Sequence, residues 1–187
     1  MSISTPLFEG KHIRLGALDH ETDAPIESAW THDPYFMRLM YTEPMRPLSP
    51  TQLRKKYETL EKDSNSDKDL FHFRIRTLQA ERLIGFGELF HISGTHSCGQ
   101  ICLGIGAEQD QQQGYGSEAL SLLLHYAFSE LNLHRLTAVI AEYNPAALAF
   151  FSKAGFREEV CRRQALARDS RYWDIHHLGI LSSDWKS

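Results

Sequence analysis

The stretch that most constrains this chain runs from Gly104 to Phe128, GIGAEQDQQQGYGSEALSLLLHYAF. A short apolar segment punctuated by glycine enters a polar loop, the loop closes on Gly114-Tyr115-Gly116, and an amphipathic helix starts at once. Ala119, Leu120, Leu123, Leu124, Ala127, Phe128 and Leu131 recur at three- and four-residue spacing, so one helical face is built for a core. Ser117 and Glu118 fall in the first turn, where a hydroxyl and a carboxylate suit free amides and the positive end of the helix dipole. Gly114 and Gly116 lack a Cβ, so the backbone can take positive φ and let a ligand approach closely. The amides from Gln112 to Ser117 would then converge on one place, and such a place suits phosphate. The competing reading is a turn whose glycines only end a strand and cap a helix.

What is missing narrows the ligand. No Lys-Ser or Lys-Thr follows the glycines, as a nucleoside-triphosphate loop requires, and the third glycine of a dinucleotide fingerprint is absent. A pyrophosphate that undergoes no chemistry fits better.

The remaining pattern predicts strands over residues 7–18, with Ile13, Leu15 and Ala17 on one side, and over 70–78, 83–92, 101–107 and 134–141. Residues 157–167 and 171–181 read as a closing hairpin around Asp169-Ser170. A helix is expected over 19–29, capped by Asp19, with Ile26, Ala29 and Trp30 as its apolar positions. Others start at Asp33-Pro34 and at Ser49-Pro50, and Asn144-Pro145 caps one that stops at Gly155. Residues 62–69 read as a solvated charged loop. An antiparallel meander followed by strand, loop, helix and strand is an α/β or α+β arrangement with a mixed sheet, in one domain over residues 1–187. A length of 187 residues suffices for one sizeable core.

A net charge of −4 gives no general attraction to nucleic acid. The first residues lack a signal-peptide core and no stretch is long and apolar enough for a membrane span, so a cytoplasmic protein with no membrane or nucleic-acid partner is expected. Cys98, Cys102 and Cys161 show no CxxC spacing, and neither a disulfide nor a metal is expected.

Gln111-Gln112-Gln113-Gly114-Tyr115-Gly116 resembles the coenzyme A pyrophosphate loop of the GNAT N-acetyltransferase superfamily. The following SEALSLLLHYAFSELNLHRL, then Asn144 and the KAGF ending at Phe156, resemble the branch that holds ribosomal-protein N-terminal and polyamine acetyltransferases. The resemblance implies a mostly antiparallel mixed sheet of about seven strands flanked by helices and splayed between the fourth and fifth. It implies acetyl-CoA in that gap as cosubstrate, held by Gln111 to Ser117. The pantetheine arm would meet the amides of Gly104, Ile105 and Gly106, where the two glycines admit a close ligand, and would meet Asn144 as well. The acceptor would be an amine, either a protein N-terminus or a small amine or polyamine, attacking the thioester directly. Related proteins often pair, so a homodimer is an expectation by analogy.

Glu88, a charge inside the apolar run LIGFGELFH, is the first candidate for a base or a water-relayed base, with Glu43 as an acceptor-side glutamate and Glu142 as a third carboxylate. Tyr172 and Asp174 match a pattern of the same branch near the last strand and are expected beside the acceptor. Many family members carry a tyrosine before the final Gly-Phe to protonate the leaving thiolate; here that position is Phe151, which has no proton to give. Tyr143 or Ser152 is the expected substitute, or water. Expelling a thiol of pKa ~8.5 as thiolate at neutral pH costs only about 2 kcal/mol, so the loss need not abolish activity. The same phenylalanine motivates the alternative of a catalytically silent acyl-CoA sensor.

Overall fold

A computed structural model describes residues 6–63 and 69–186; most of the expected charged loop over 62–69 and the first five residues lie outside the described residues. Seven strands form one sheet: β1 (Ile13–Gly16), β2 (Phe71–Thr77), β3 (Leu83–Ser93), β4 (Cys98–Ile105), β5 (Arg135–Ala141), β6 (Arg157–Arg168) and β7 (Arg171–Leu181). Their order is β1-β2-β3-β4-β5-β7-β6. Every neighbouring pair is antiparallel except β4 with β5. The helices are α1 (Asp23–Thr31), α2 (Pro34–Met40), α3 (Pro50–Asp63), α4 (Tyr115–His125) and α5 (Pro145–Lys153). The mixed, mostly antiparallel sheet expected from the sequence is therefore the one found. No helix among the described residues is long and apolar enough to cross a membrane.

Helix α4 lays Ala119, Leu120, Leu123 and Leu124 on one face of the sheet, against Ile13, Ile75, Ile84, Leu136 and Leu178. A π-helical turn over Tyr126–Glu130 follows it, closed by Leu131 N donating to Tyr126 O, and Ala127 and Phe128 stay in the core. Burying each of the leucines and Phe128 contributes about 1.5–3 kcal/mol, and each alanine methyl about 0.8. The other face carries α1, α2 and α3, with a smaller cluster of Trp30, Phe36, Met37, Leu83 and Phe86.

Beneath α1 the sequence expectation fails in an informative way. Ile26 is 39% exposed and Ala29 is exposed, while Asp23, Glu27 and Ser28 are buried beside Ala24 and Trp30. On the strand below, Arg74 is 2% exposed. Arg76 Nη2 lies 2.6 Å from Asp23 Oδ1, and Arg74 Nε lies 2.6 Å from Glu27 Oε1. Four helical residues advance about 6 Å and two strand residues about 6.6 Å, so the two carboxylates of α1 fall in register with the two guanidinium groups of β2. Tyr57 of α3 completes the layer: its hydroxyl bonds the second oxygen of Glu27, and its ring centre lies 5.0 Å from the Arg74 guanidinium carbon. Two smaller differences sit nearby. Helix α1 starts at Asp23 because Asp19 is spent on the preceding turn, accepting from the amides of Glu21 and Thr22. Ala17 is exposed because β1 ends at Gly16.

Glu118, in the first turn of α4, does more than answer the helix dipole. Its Oε1 accepts from the amides of His12 at 2.8 Å and Ile13 at 3.3 Å, and its Oε2 lies 3.1 Å from His12 Nδ1. It ties the edge strand β1 to α4. Burial pushes this carboxyl up, but the bonds from His12, Ile13 and Lys11 outweigh that and hold it below the usual glutamate range. Its contribution is thus present in full above the ordinary glutamate pKa and is lost as pH falls through the depressed folded value. Glu118→Ala, which leaves those amides without an acceptor, is expected to cost about 1–3 kcal/mol in urea unfolding at pH 7, with the difference from the parent shrinking as pH falls below about 4.

Candidate active site

After β4 the chain makes a 3-10 turn over Glu108–Asp110, closed by Asp110 N to Ala107 O and Gln111 N to Glu108 O. Asp110 is 4% exposed and takes the Arg82 guanidinium with both oxygens at 2.6 Å, which pins this turn to β3. The carboxylate in turn raises the Arg82 pKa above its ordinary value. Gln111 Nε2 donates to Ile105 O at 3.3 Å. Gln112 then takes φ +59° and Gly114 φ +87°, and the first helical bond of α4 runs from Glu118 N to Gly114 O. Among the described residues no amide from Gln112 to Ser117 donates to a protein acceptor. Six free N–H groups at the positive end of a helix form an anion cradle. A Cβ added at Gly114 would meet nothing within 4 Å, so the glycine is needed for its left-handed backbone and not for space.

Beside this cradle the sheet opens. Strands β4 and β5 pair only at Cys98–Arg135, Gly99–Leu136 and Gln100–Thr137. Beyond them lies a cleft of about 270 Å³ lined by Ile101, Cys102 and Leu103 of β4 and by Ala138, Val139 and Ile140 of β5. Asn144, Ala147 and Phe151 close one side, and the segment from Leu39 to Glu43 closes the other.

The expectation for Gly104, Ile105 and Gly106 needs correction. Gly106 N donates to Ile84 O, and Gly104 is registered against Phe86 in the same antiparallel ladder, so both point their amides at β3. By alternation the groups turned towards the cleft belong to Leu103 and Ile105, as the bond from Gln111 to Ile105 O bears out. Nor do the glycines make room for a ligand: a Cβ at Gly106 would lie 2.0 Å from the Trp30 ring, and one at Gly104 would lie 3.0 Å from Met40 Sδ. They let α1 and α2 pack on the strand.

Other expected residues scatter. Glu43 is exposed and lines both the cleft and a neighbouring cavity of about 160 Å³ formed with Thr31, His32, Met37, Arg38 and Arg168. Asn144 caps α5 by accepting from Ala147 N at 3.0 Å and donates to Leu39 O at 3.3 Å while also lining the cleft. Phe151 is 5% exposed, faces the cleft and packs edge-on to Phe150 and Phe156. Glu88 stands one strand away from the cleft, paired opposite Cys102, with its carboxylate 3.0 Å from His72 Nδ1. Burial pushes the Glu88 carboxyl up, but the bond to His72, with Arg74 and Lys56 nearby, brings it below the ordinary value.

Tyr143 and Ser152, expected at the thioester, and Tyr172, expected beside the acceptor, all stand away from the cleft. Tyr143 bonds Arg38 O at 3.0 Å and the Arg168 guanidinium, so its hydroxyl joins α2 to the hairpin and is not turned to the cleft. Ser152 is exposed on α5 and does not line the cleft. Tyr172 is 64% exposed at the hairpin end and does not line it either. Glu142 is occupied by accepting from Asp174 N at 3.0 Å. What the sequence did not reveal is Arg168, whose guanidinium donates to the carbonyls of Arg38, Tyr41 and Thr42 and fixes the acceptor-side loop. A third cavity of about 460 Å³ opens from Ser117 between α4 and α5 and is lined by Lys153 and Lys186.

Comparison with known proteins decides the family. The family model for the acetyltransferase (GNAT) domain matches residues 12–157. The chain belongs to the GNAT acetyltransferase family. Among curated GNAT relatives, the probable N-acetyltransferase YjcK of Bacillus subtilis is 35% identical over 130 residues, covering 68% of this chain and 67% of that protein. The spermidine N(1)-acetyltransferase of Vibrio cholerae is 30% identical over 105 residues, 56% of this chain and 60% of that one. The match to the uncharacterized N-acetyltransferase YnaD of Bacillus subtilis, 33% identical over 75 residues, covers 40% of this chain and spans less than half, 44%, of that relative. In three dimensions the chain is similar to a crystal structure of spermidine N-acetyltransferase from Vibrio cholerae in complex with CoA and spermine. The TM-score is 0.79 and the identity 25%, over 92% of this chain and 96% of that one. Spermidine N-acetyltransferases are thus among the neighbours of this chain in sequence and in fold.

A Cβ at Gly114 strains the cradle of this GNAT loop by about 1–2 kcal/mol without touching a neighbour. Gly114→Ala is therefore expected to weaken coenzyme A binding about 5- to 30-fold by calorimetry, with the melting temperature of the free protein changed far less than by a core substitution.

Proposed function

We propose that this chain is an N-acetyltransferase that moves the acetyl group of acetyl-CoA directly onto an amine, with a polyamine as the favoured acceptor class. The observation that carries this reading is the row of unpaired amides from Gln112 to Ser117 beside a gap between two strands. Those amides suit the pyrophosphate, and the cavity with Lys153 and Lys186 suits the adenosine end with its extra phosphate. The mostly apolar cleft suits an extended pantetheine arm, for which Leu103 and Ile105 offer main-chain partners on β4.

Direct attack fits better than an acetylated enzyme. Cys102 is the thiol at the cleft, and burial, with Glu88 opposite, pushes it up to about 12, so it stays protonated and unreactive at neutral pH. A main-chain N–H of Leu103 or Ile105 can stabilise the developing oxyanion. The amine must arrive neutral, which costs about 4–5 kcal/mol for an alkylammonium of pKa ~10.4 and about 1 for an α-amine. Glu88, held ionised by His72, is too weak a base to remove that proton alone; it supplies negative potential and a water-relayed path. Glu43, at the junction of the two acceptor-side cavities, is the carboxylate placed to meet a cationic acceptor. Of the neighbouring arginines, Arg38 is paired with Asp169 at 2.8 Å, and Arg168 keeps its charge but turns its donors to main-chain carbonyls and not to Glu43. One spermidine N-acetyltransferase neighbour is described as dodecameric, and a homo-oligomer is the matching proposal for this chain.

Acetyl-CoA offered with spermidine, spermine, an aminoglycoside and peptides beginning with Ala, Ser or Met is expected to release free thiol fastest with the polyamines. Tight coenzyme A binding with no release for any amine would point to an acyl-CoA sensor instead. Glu43→Gln is expected to raise the polyamine KM about tenfold with kcat nearly unchanged, the loss of one charge-assisted contact. Phe151→Tyr returns a hydroxyl to the leaving-group side of the cleft. Where thiolate expulsion limits turnover, it is expected to raise kcat by up to about 30-fold, the equivalent of about 2 kcal/mol.

A further inference from the structure

Outside the cleft, the hairpin of β6 and β7 gathers a second set of reactive side chains. Cys161 and His176 are direct cross-strand partners, so their side chains share a face. Glu158, three residues before Cys161, would face the other way on a regular strand. The bulge between Glu158 and Val160 inserts an extra residue and brings it to the same side. One ligand atom from each of Glu158, Cys161 and His176 lies within 4.8 Å of the other two. Glu158 Oε2 is 2.8 Å from His176 Nδ1, and the His176 side chain is 16% exposed against 51% for Glu158. Asp174, two residues before His176 and on the same face, is held by Gln164 N at 2.8 Å and places its second oxygen 3.5 Å from Cys161 Sγ. The second bulge, between Arg162 and Leu166, is what turns that Gln164 amide inwards, at φ +50°.

We infer that Glu158, Cys161 and His176 form a binding site for a divalent transition-metal cation of the zinc class on the β6–β7 hairpin, with Asp174 or water as the fourth ligand. One sulfur, one imidazole nitrogen and carboxylate oxygens are the donor set that zinc prefers, at about 2.0–2.3 Å from the metal. Atoms now within 4.8 Å of one another need move by only about 1 Å to reach tetrahedral spacing, a rotamer adjustment for the exposed Glu158 and Cys161 around a half-buried His176. The bound cation would replace the contact of Glu158 with His176 by two bonds to itself and add a cross-strand staple to the ladder and to the Asp174 bonds. The site lies apart from the cleft and does not rest on the proposed acetyl transfer.

The test uses the full chain, stripped of metal with a chelator and titrated with Co²⁺ as a coloured substitute for Zn²⁺. A thiolate-to-cobalt band in the near ultraviolet, with visible bands of tetrahedral intensity, is expected to saturate at a single equivalent. Cys161→Ser is expected to remove the near-ultraviolet band, and Cys98→Ser to keep it. His176→Asn and Glu158→Gln are each expected to weaken Zn²⁺ binding at least about tenfold in competition with a chelating dye. Melting in chelator checks that the variants fold, and Cys161→Ala serves if the serine variant does not. The absence of the band in the parent protein, or its survival in the Cys161 variant, overturns the site.

Discussion

The cleft and the anion cradle beside it depend on where two parallel strands stop pairing. β4 and β5 share only three residue pairs, at Cys98, Gly99 and Gln100, while β5 runs in full register with β7 through to Ala141. The inner edge of β4 beyond Gln100 therefore presents main-chain groups at Leu103 and Ile105 to a gap. Unpaired backbone inside a sheet is costly unless something else satisfies it. Gln111 answers one such group, Ile105 O, and an extended ligand is the natural partner for others. The opening is held by packing: Phe151 and Ala147 from α5 and Met40 and Tyr41 from the end of α2 stand between the diverging strands. The cleft and the anion cradle share one cause, since the chain that leaves β4 must turn beside the gap before α4 can cross the sheet.

The layer of α1 and α3 on the sheet is held by charge. Asp23 and Glu27 lie against Arg76 and Arg74 as a matched pair of carboxylates and guanidinium groups, and this layer seats α1 and α3 over β2. Burying such pairs adds little net stability, because desolvation offsets attraction, but leaving one member alone is expensive. The arrangement therefore fixes one seating of α1 and α3 and disfavours a shifted one. Arg168 extends the same logic to the hairpin. Its guanidinium caps the end of α2 and the loop at Tyr41 and Thr42, so that wall of the cleft is attached to β6.

The cradle was legible because its cause is local. A polar loop, Gly114 and an apolar face at helical spacing are enough to imply free amides at a helix start, and the resemblance of that loop extends the implication to a pyrophosphate. The β6–β7 hairpin and the Asn144 cap were legible for the same reason. The face of α1 was not, because period counting assigns polar residues to solvent and has no way to know that Arg74 and Arg76 wait on the strand below. Gly104 and Gly106 misled for a related reason: a missing Cβ states that something comes close, and only the fold reveals that it is Trp30 and Met40. The cluster at Glu158, Cys161 and His176 escaped because ligand spacing in sequence cannot register a strand bulge that reverses the side on which a residue points.

The leaving-group side follows from the packing around Phe151. An aromatic ring there is held edge-on between Phe150 and Phe156 and forms part of the cleft wall, so the position is filled whether or not it carries a hydroxyl. Neither Tyr143, bonded to Arg38 and Arg168, nor exposed Ser152 can move to that place without dismantling α5 or its joint to α2. The thiolate must then leave towards water or towards the main chain. A cost of about 2 kcal/mol is small beside the 4–5 kcal/mol needed to neutralise an alkylammonium, so selection on rate acts first on the amine side. That ordering matches the proposed roles: Glu43 lines the cleft from the side of α2, and the apolar wall with Phe151 closes the side of α5.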